Sequence, residues 1–263
     1  MVFQVYPIVE GRISGLIIFL VALVLTVYYL QTKKVPYIRR VPAIDAIEEG
    51  IGRATELGKP VIASCGMAPS GIDASTVAGL GMLTYIAKLC ARNDVRLMSP
   101  MGGSEESYTT MELARDLVET QYKLEGKPEA FNIDDMPFLS GRQFAWASAY
   151  CGMMLREKPA TNIMVGVQYA SAVYISEVGH EVGAMVISGT TYLANIACLA
   201  ASSDYVMIGE EMLAAGAYLS RDPGQLATIR TQDIIKAVLM ILVTLGVVGL
   251  TVSNDLVRVI LSS

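Results

Sequence analysis

Charged residues are scarce in this sequence. Only 17% of its 263 residues are charged, whereas soluble domains carry nearer a quarter. Hydrophobic residues make up 53%, and the mean hydropathy is +0.46, so the bias favours membrane segments. The net charge of −5 and the pI near 5.0 argue against a nucleic-acid-binding surface, which would need clustered basic residues.

The residues of metal and cofactor sites are also missing. His180 is the only histidine, which excludes a multi-histidine metal site. We expect it either to cap a helix C-terminus, where a partly cationic ring is stabilised, or to be exposed at the surface. The glycine-rich stretch SPMGGSEES lacks the lysine of a P-loop, and no G-x-G-x-x-G occurs. We therefore expect no cofactor, no metal and no catalytic nucleophile–base set.

The cysteines lack the spacing of a metal site or of a compact disulfide framework. We expect buried free thiols in a reducing compartment at Cys65, Cys90, Cys151 and Cys198.

Two uncharged runs of 18 residues are present, at 13–30 and 237–254. Each is close to the ~20 residues that cross a bilayer core as a helix. The first run ends in VYYLQTKK, without a small-residue cleavage site, so a retained anchor is favoured over a cleaved signal peptide. Both runs are predicted to be transmembrane helices that contact lipid.

The basic residues near these runs predict the topology. They cluster between the two runs, whereas only Arg12 and Arg258 lie on the far sides. By the positive-inside rule, we expect a cytoplasmic domain at 31–236 and short external termini at 1–12 and 255–263. The clustered residues are Lys33, Lys34, Arg39, Arg40, Arg230 and Lys236.

The intervening segment alternates apolar strands with helices. In AIDAIEEGIGRATELG, Ile44, Ile47 and Ile51 recur at helical spacing and Gly58 is placed to end the helix. Three similar strand–turn–helix units follow towards the C-terminus, with strands closing at Gly166, Gly189 and Gly209. Strands without polar alternation are buried on both faces. The predicted fold is an α/β, three-layer, open and mainly parallel sheet of about five strands, flanked by the two transmembrane helices.

Hydroxyl-rich glycine turns end several of these strands. In open α/β sheets ligands bind outside the carboxyl ends of the strands, where the strand order reverses. Amide groups at such turns suit anions, although the same residues also serve ordinary turns. The adjacent acids Glu210 and Glu211 follow the last strand, with Glu210 the stronger acid/base candidate. The predicted ligand-binding residues are Ser64, Gly66, Gly102, Ser188, Thr190, Thr191 and Glu210, with Cys65, Ser99, Gly103, Ser104 and Gln168 projected to the same edge.

Several segments resemble known proteins. IGRATELGKPV, FLSGRQFAWASAYCGMMLREKPATN and YVMIGEEMLAAGAYLS resemble an uncharacterised prokaryotic family of membrane-anchored proteins, a domain of unknown function. That resemblance implies membrane anchoring and supplies no catalytic residues. VISG followed by SDYVMIGEE is similar, over about thirty residues, to the oxyanion turn of the crotonase and Clp-protease superfamily, but the protease serine has no counterpart.

Two functions remain open from the sequence. The first is a non-enzymatic, membrane-anchored scaffold or assembly subunit, as a homo-oligomer or within a larger membrane complex. The many methionines and tyrosines, 14 and 13, fit a subunit interface as well as a core. The second is an enzyme or sensor that binds a small anionic metabolite at the strand ends.

Overall fold

The computed structural model of the protein describes residues 12–32, 41–67, 74–103, 107–167, 170–220 and 223–251. The chain forms two compact units. One comprises Ile38–Ser220, and the other combines Met1–Tyr37 with Arg221–Ser263.

The larger unit is an α/β domain with two sheets. Its strands are β1 (Val61–Gly66), β2 (Leu97–Met98), β3 (Met101–Gly102), β4 (Phe138–Ser140), β5 (Thr161–Val167), β6 (Met185–Thr190) and β7 (Tyr205–Ile208). The main sheet has five strands in the order β2-β1-β5-β6-β7, and every pair in it is parallel. The predicted α/β fold with a five-stranded, mainly parallel sheet is therefore confirmed.

Helices cover both faces of this sheet. One face packs on α2 (Pro42–Leu57), α3 (Ala74–Arg92), α4 (Ser107–Leu124) and α8 (Glu210–Ser220). The other face packs on α5 (Gln143–Glu157), α6 (Ser171–Glu181) and α7 (Leu193–Ser202). Two short 3₁₀ helices, Pro128–Ala130 and Ile133–Asp135, precede β4. Val61, Ala63 and Cys65 join the first core and Ile62 the second, as the alternation of side chains along a strand requires.

Local sequence explains the ends and the close approach of α2. Pro42 occupies its first turn, and Gly58 ends it in the left-handed conformation at φ 61°, as predicted. At Gly50 an added Cβ would lie 2.8 Å from side-chain atoms of Thr161 and Met185. The missing side chain lets α2 approach the sheet, and Thr161 Oγ1 donates to the Gly50 carbonyl at 2.9 Å.

From the sequence, VRLMSPMGG is expected to form one strand and KPEAFNIDDMPFLS an irregular loop, and the structure differs from both expectations. The strand divides into β2 and β3 around Ser99 and Pro100, because proline has no N–H for a ladder and is confined to strand ends and bulges. β3 pairs with β4, which lies in the segment expected to be irregular, to form a second, two-stranded parallel sheet. Strands of two and three residues are too short to show an alternating pattern.

The smaller unit contains two helices, α1 (Arg12–Thr32) and α9 (Pro223–Thr251). They pack on each other where the hydroxyl oxygens of Thr26 and Thr231 lie 3.2 Å apart. Thr231 Oγ1 also donates to the Ala227 carbonyl, one turn earlier in α9, at 3.0 Å. α9 starts well before the apolar run at 237–254, so the predicted boundary at residue 236 falls inside one helix.

Two described helices are long and apolar enough to cross a membrane, Ala74–Arg92 and Pro223–Val248. They differ in burial: 61% of the apolar stretch of the first helix is buried within the protein, but only 6% of that of the second. α3 is thus a core helix of the α/β domain, whereas the apolar side chains of α9 are exposed. α1 contributes a shorter apolar stretch of described side chains, Ile18–Thr32, also largely exposed.

Candidate functional site

The strand order reverses between β1 and β5. From β1 the chain moves to β2 on one side and later to β5, β6 and β7 on the other, so the crevice rule places a ligand at the carboxyl ends of β1 and β5. The register of this pair shifts between Ser64 and Gly66. Gly166 lies at the shift with φ 102°, and a Cβ there would be 2.3 Å from the Cys65 carbonyl oxygen. Only glycine fits this junction.

Ser64 serves the packing of this junction. Its side chain is buried, and its Oγ donates to the Pro100 carbonyl at 2.9 Å and accepts the Gly66 N–H at 3.1 Å. Gly66 itself is left-handed, at φ 81°. The hydroxyl predicted to bind a ligand therefore stabilises a turn of β1 and ties it to the segment after β2.

The three hydroxyls at the end of β6 are also hydrogen-bonded within the protein. Ser188 Oγ lies 2.7 Å from Ser203 Oγ, and Thr190 Oγ1 accepts the Tyr192 N–H at 3.2 Å. Thr191 Oγ1 is hydrogen-bonded to Ser75 Oγ in the first turn of α3. Ser188 and Thr190 are fully buried, and Thr191 is half-buried.

Gly102 and Glu210 lie apart from these residues. Gly102 belongs to the small sheet, where an added Cβ would lie 2.2 Å from Trp146 Cδ1, so the glycine makes room for the indole ring. Glu210 is exposed and begins α8 after the edge strand β7, three strand spacings, about 14 Å, from β1. Its neighbour Glu211 accepts the Ile208 N–H at 3.5 Å. The sequence therefore predicted that these residues lie in one crevice, whereas the fold distributes them along the whole edge.

Of the other residues predicted to lie at this edge, Ser99 and Cys65 are buried. Ser99 is buried, and its Oγ, like Trp146 Nε1, has no hydrogen-bond partner in the described part of the chain. Burial raises the pKa of the Cys65 thiol to about 12, because the thiolate would be desolvated. Ser104 and Gln168 lie outside the described residues.

The opposite, amino-terminal edge of the sheet carries a groove that sequence reasoning missed. Its volume is about 540 Å³. It opens where β6 and β7 begin, and its lining consists of Arg53, His180, Gly183, Ala184, Met185, Asp204 and Tyr205. A smaller groove of about 290 Å³ lies at the start of β1 and β2, where Lys59, Asp94 and Arg96 are among the lining residues.

Fixed polar groups shape the larger groove. Asp204 Oδ2 accepts the Val186 N–H at 2.8 Å and lies 3.4 Å from His180 Nε2. Arg53 Nη2 donates to the Gly183 carbonyl at 3.2 Å. His180 lies in the last turn of α6, as predicted. In the sequence, Asp204, which directly precedes a strand, was the one residue that could have indicated this groove. Arg53 could not, because it lies 130 residues along the chain from its acceptor, Gly183.

Two other acidic residues, Asp135 and Glu157, form ion pairs that connect segments of the fold. Asp135 is buried and accepts from Arg96 Nε with both carboxylate oxygens, at 3.1 and 3.0 Å. Arg96 Nη1 also donates to Glu157 at 2.9 Å. These pairs join the 3₁₀ segment and α5 to the start of β2, and their hydrogen bonds raise the pKa of the arginine.

Comparison with protein families identifies the chain. Residues 6–261 match the family described as Domain of unknown function (DUF6754), and the chain belongs to this family. No curated protein and no solved structure matches, so the local similarity to the crotonase superfamily gains no support.

Proposed function

We propose that this protein is a membrane-anchored, non-enzymatic assembly subunit that associates with further copies of itself. The observation that carries the association is the surface of α7. Leu193, with 87% of its surface accessible, and four alanines of this helix are exposed, whereas the polar side chains of Asn195 and Ser202 are buried. The α7 surface, defined by Leu193, Ala194, Ala197, Ala200 and Ala201, carries no charge.

A surface helix usually turns its polar face to water, but on α7 Asn195 and Ser202 are buried beside Leu199 while the alanines are exposed. The buried Asn195 Nδ2 and Ser202 Oγ have no hydrogen-bond partner among the described residues, which adds to the cost of the orientation. Contiguous exposed apolar surface marks interaction sites, and alanines let a second helix approach closely. We propose that the α7 surface binds a second copy of the protein, because anchoring in one membrane holds the copies in a common plane at high local concentration.

The anchoring is supported by α1 and α9. The side chains of Val238, Leu242 and Leu245 on α9 and of Phe19 and Val24 on α1 are all half-exposed or more. Burying such surface in lipid is favourable by about 25 cal/mol per Å². We further propose that the α/β domain is cytoplasmic and both termini are external, as the basic residues between the two apolar runs favour.

The association is tested by the mass of the full-length protein in nanodiscs or mild detergent. We expect a defined dimer or larger oligomer, and Leu193→Glu combined with Ala197→Glu to yield monomers with unchanged circular dichroism. Leu124→Glu is the matched control, since Leu124 is a similarly exposed leucine on α4; it should leave the oligomer intact. A wild-type monomer at all concentrations contradicts the proposal.

The anchoring and topology are tested separately. Alkaline carbonate should leave the protein in the membrane pellet. In a Cys198→Ser background, which removes the half-exposed native thiol, a cysteine replacing Ser263 should react with an impermeant maleimide from outside the cell, whereas one replacing exposed Glu129 should react only after lysis. Labelling of Glu129→Cys in intact cells would contradict the topology.

A further inference from the structure

The groove at the amino-terminal edge, formed by α2, the α6–β6 turn and the start of β7, has a guanidinium group with spare donors. Arg53 is exposed on α2, and its one hydrogen bond within the described residues goes to the Gly183 carbonyl. Glu49 and Glu56 lie one turn away on the same helix, yet neither forms an ion pair with Arg53 in the described part of the chain. A guanidinium offers five N–H donors in a planar fork that matches carboxylate and phosphate oxygens.

The lining of the same groove includes the carboxylate of Asp204, whose orientation is held by a hydrogen bond. The Val186 N–H holds one oxygen of Asp204 at 2.8 Å, and the His180 ring faces that same oxygen at 3.4 Å. The other carboxylate oxygen has no hydrogen-bond partner among the described residues. Asp204 and His180 are each about two-fifths exposed, so both can be reached from solvent. The groove therefore offers a donor for an anion and an acceptor for a hydroxyl or an amino group.

From this arrangement we propose that the groove binds a small metabolite that carries one oxyanion and one hydroxyl or amino group. The oxyanion binds Arg53, the second group donates to Asp204, and the half-exposed ring of Tyr205 forms a wall. A volume of about 540 Å³ lies within the usual range for small-molecule sites, about 300–1,000 Å³. The ligand needs its hydroxyl or amino group because the negative carboxylate of Asp204 lines the same groove and would repel an anion that has no hydrogen-bond donor.

His180 makes the proposal measurable, because it is the only histidine of the chain. Full-length protein without a histidine tag, labelled with ¹³C-histidine and placed in nanodiscs, should give a single imidazole signal. Glycerol phosphate should shift this signal saturably, and inorganic phosphate should need at least tenfold higher concentration. Sodium chloride at equal ionic strength should produce no saturable shift, since it only screens charge.

Variants assign the roles within the groove. Arg53→Gln should weaken glycerol phosphate at least tenfold. Asp204→Asn, which can still accept the Val186 N–H, should bring the affinities for the two phosphates together. Arg156→Gln, at an exposed arginine of α5 outside the groove, is the matched control and should bind as the wild type does. A wild-type response equal to that of chloride, or an unchanged affinity in Arg53→Gln, would overturn the proposal.

Discussion

The two edges of the five-stranded sheet use polar residues in opposite ways. At the carboxyl edge, the hydroxyls of Ser64, Ser188, Thr190 and Thr191 are hydrogen-bonded to other protein groups, and most are buried. At the amino edge, exposed charged groups line open grooves. The edge that the crevice rule favours is thus the more tightly packed of the two in the described residues.

Polar residues at the ends of strands can therefore serve either folding or ligand binding. A buried hydroxyl that satisfies a backbone group contributes to folding, since an unpaired buried group costs about 1–3 kcal/mol. An exposed charge contributes little to folding and is available to a ligand. Stability and binding should therefore respond in opposite ways to substitutions at the two edges.

The largest expected effect is on the reactivity of a carboxyl-edge thiol. Burial raises the pKa of Cys65 from 9.0 to about 12, which lowers its thiolate fraction near neutral pH about a thousandfold. Thiol-specific reagents should therefore modify Cys65 only upon unfolding, and half-exposed Cys198 should react in the folded protein. Mass spectrometry of digested, labelled protein distinguishes the sites. Rapid labelling of Cys65 would show an open carboxyl edge.

The same shift predicts alkaline instability. Above the unfolded-state pKa of about 9, the unfolded chain releases the Cys65 proton while the folded protein retains it up to about 12. The folded state then binds more protons, so the free energy of unfolding falls as pH rises through this window. Cys65→Ala should reduce this fall, measured by denaturant unfolding at pH 8 and pH 10.

Gly166→Ala should give the next largest effect. The new Cβ would lie 2.3 Å from the Cys65 carbonyl oxygen at φ 102°, which forces β1 and β5 apart. We expect a loss of about 3 kcal/mol or more in the free energy of unfolding. Gly52→Ala is the control, because Gly52 is exposed within α2 with no atom within 4 Å of an added Cβ, and it should stabilise by about 0.5–1 kcal/mol. Similar results for both variants would contradict the packing at the junction.

Ser64→Ala should destabilise less. It leaves the Pro100 carbonyl and the Gly66 N–H without their buried partner, which we expect to cost about 2 kcal/mol. Ser148→Ala, at an exposed position of α5, should have little effect. Denaturant unfolding in micelles measures both. If Ser64→Ala is as stable as the wild type, the hydroxyl is free for the ligand role that the sequence suggested.

The larger elements were predictable because their patterns are long. Buried strands such as β5, and α2 with its apolar spacing and Gly58, follow from local sequence. α7 was predicted as a helix whose alanines Ala194, Ala197, Ala200 and Ala201 approach the sheet closely. That orientation was wrong: the alanines are exposed, whereas Asn195 and Ser202 are buried, because packing and not local sequence decides which face is covered. In the same way, the hydrophobicity of α3 alone could not show that this helix is buried in the core of the α/β domain and not exposed like α9.

The candidate sites were harder to predict because they depend on long-range contacts. Ser64 was proposed from its position at a strand end, yet its partner Pro100 is 36 residues away. Thr191 and Ser75 are separated by 116 residues. Residue type and strand position together show that a hydroxyl stands at an edge; they do not show whether another part of the chain already binds it.

His180→Gln should have the smallest effect on stability and provides the sharpest contrast between the edges. The His180–Asp204 pair is exposed, and such pairs contribute about 1 kcal/mol at most. Glutamine can still donate to Asp204, so we expect the free energy of unfolding to change by less than about 0.5 kcal/mol. Denaturant unfolding of this variant beside Ser64→Ala measures the difference directly. If His180→Gln proves as destabilising as Ser64→Ala, the amino edge is also part of the structural core, and the contrast between a packed edge and an available edge is wrong.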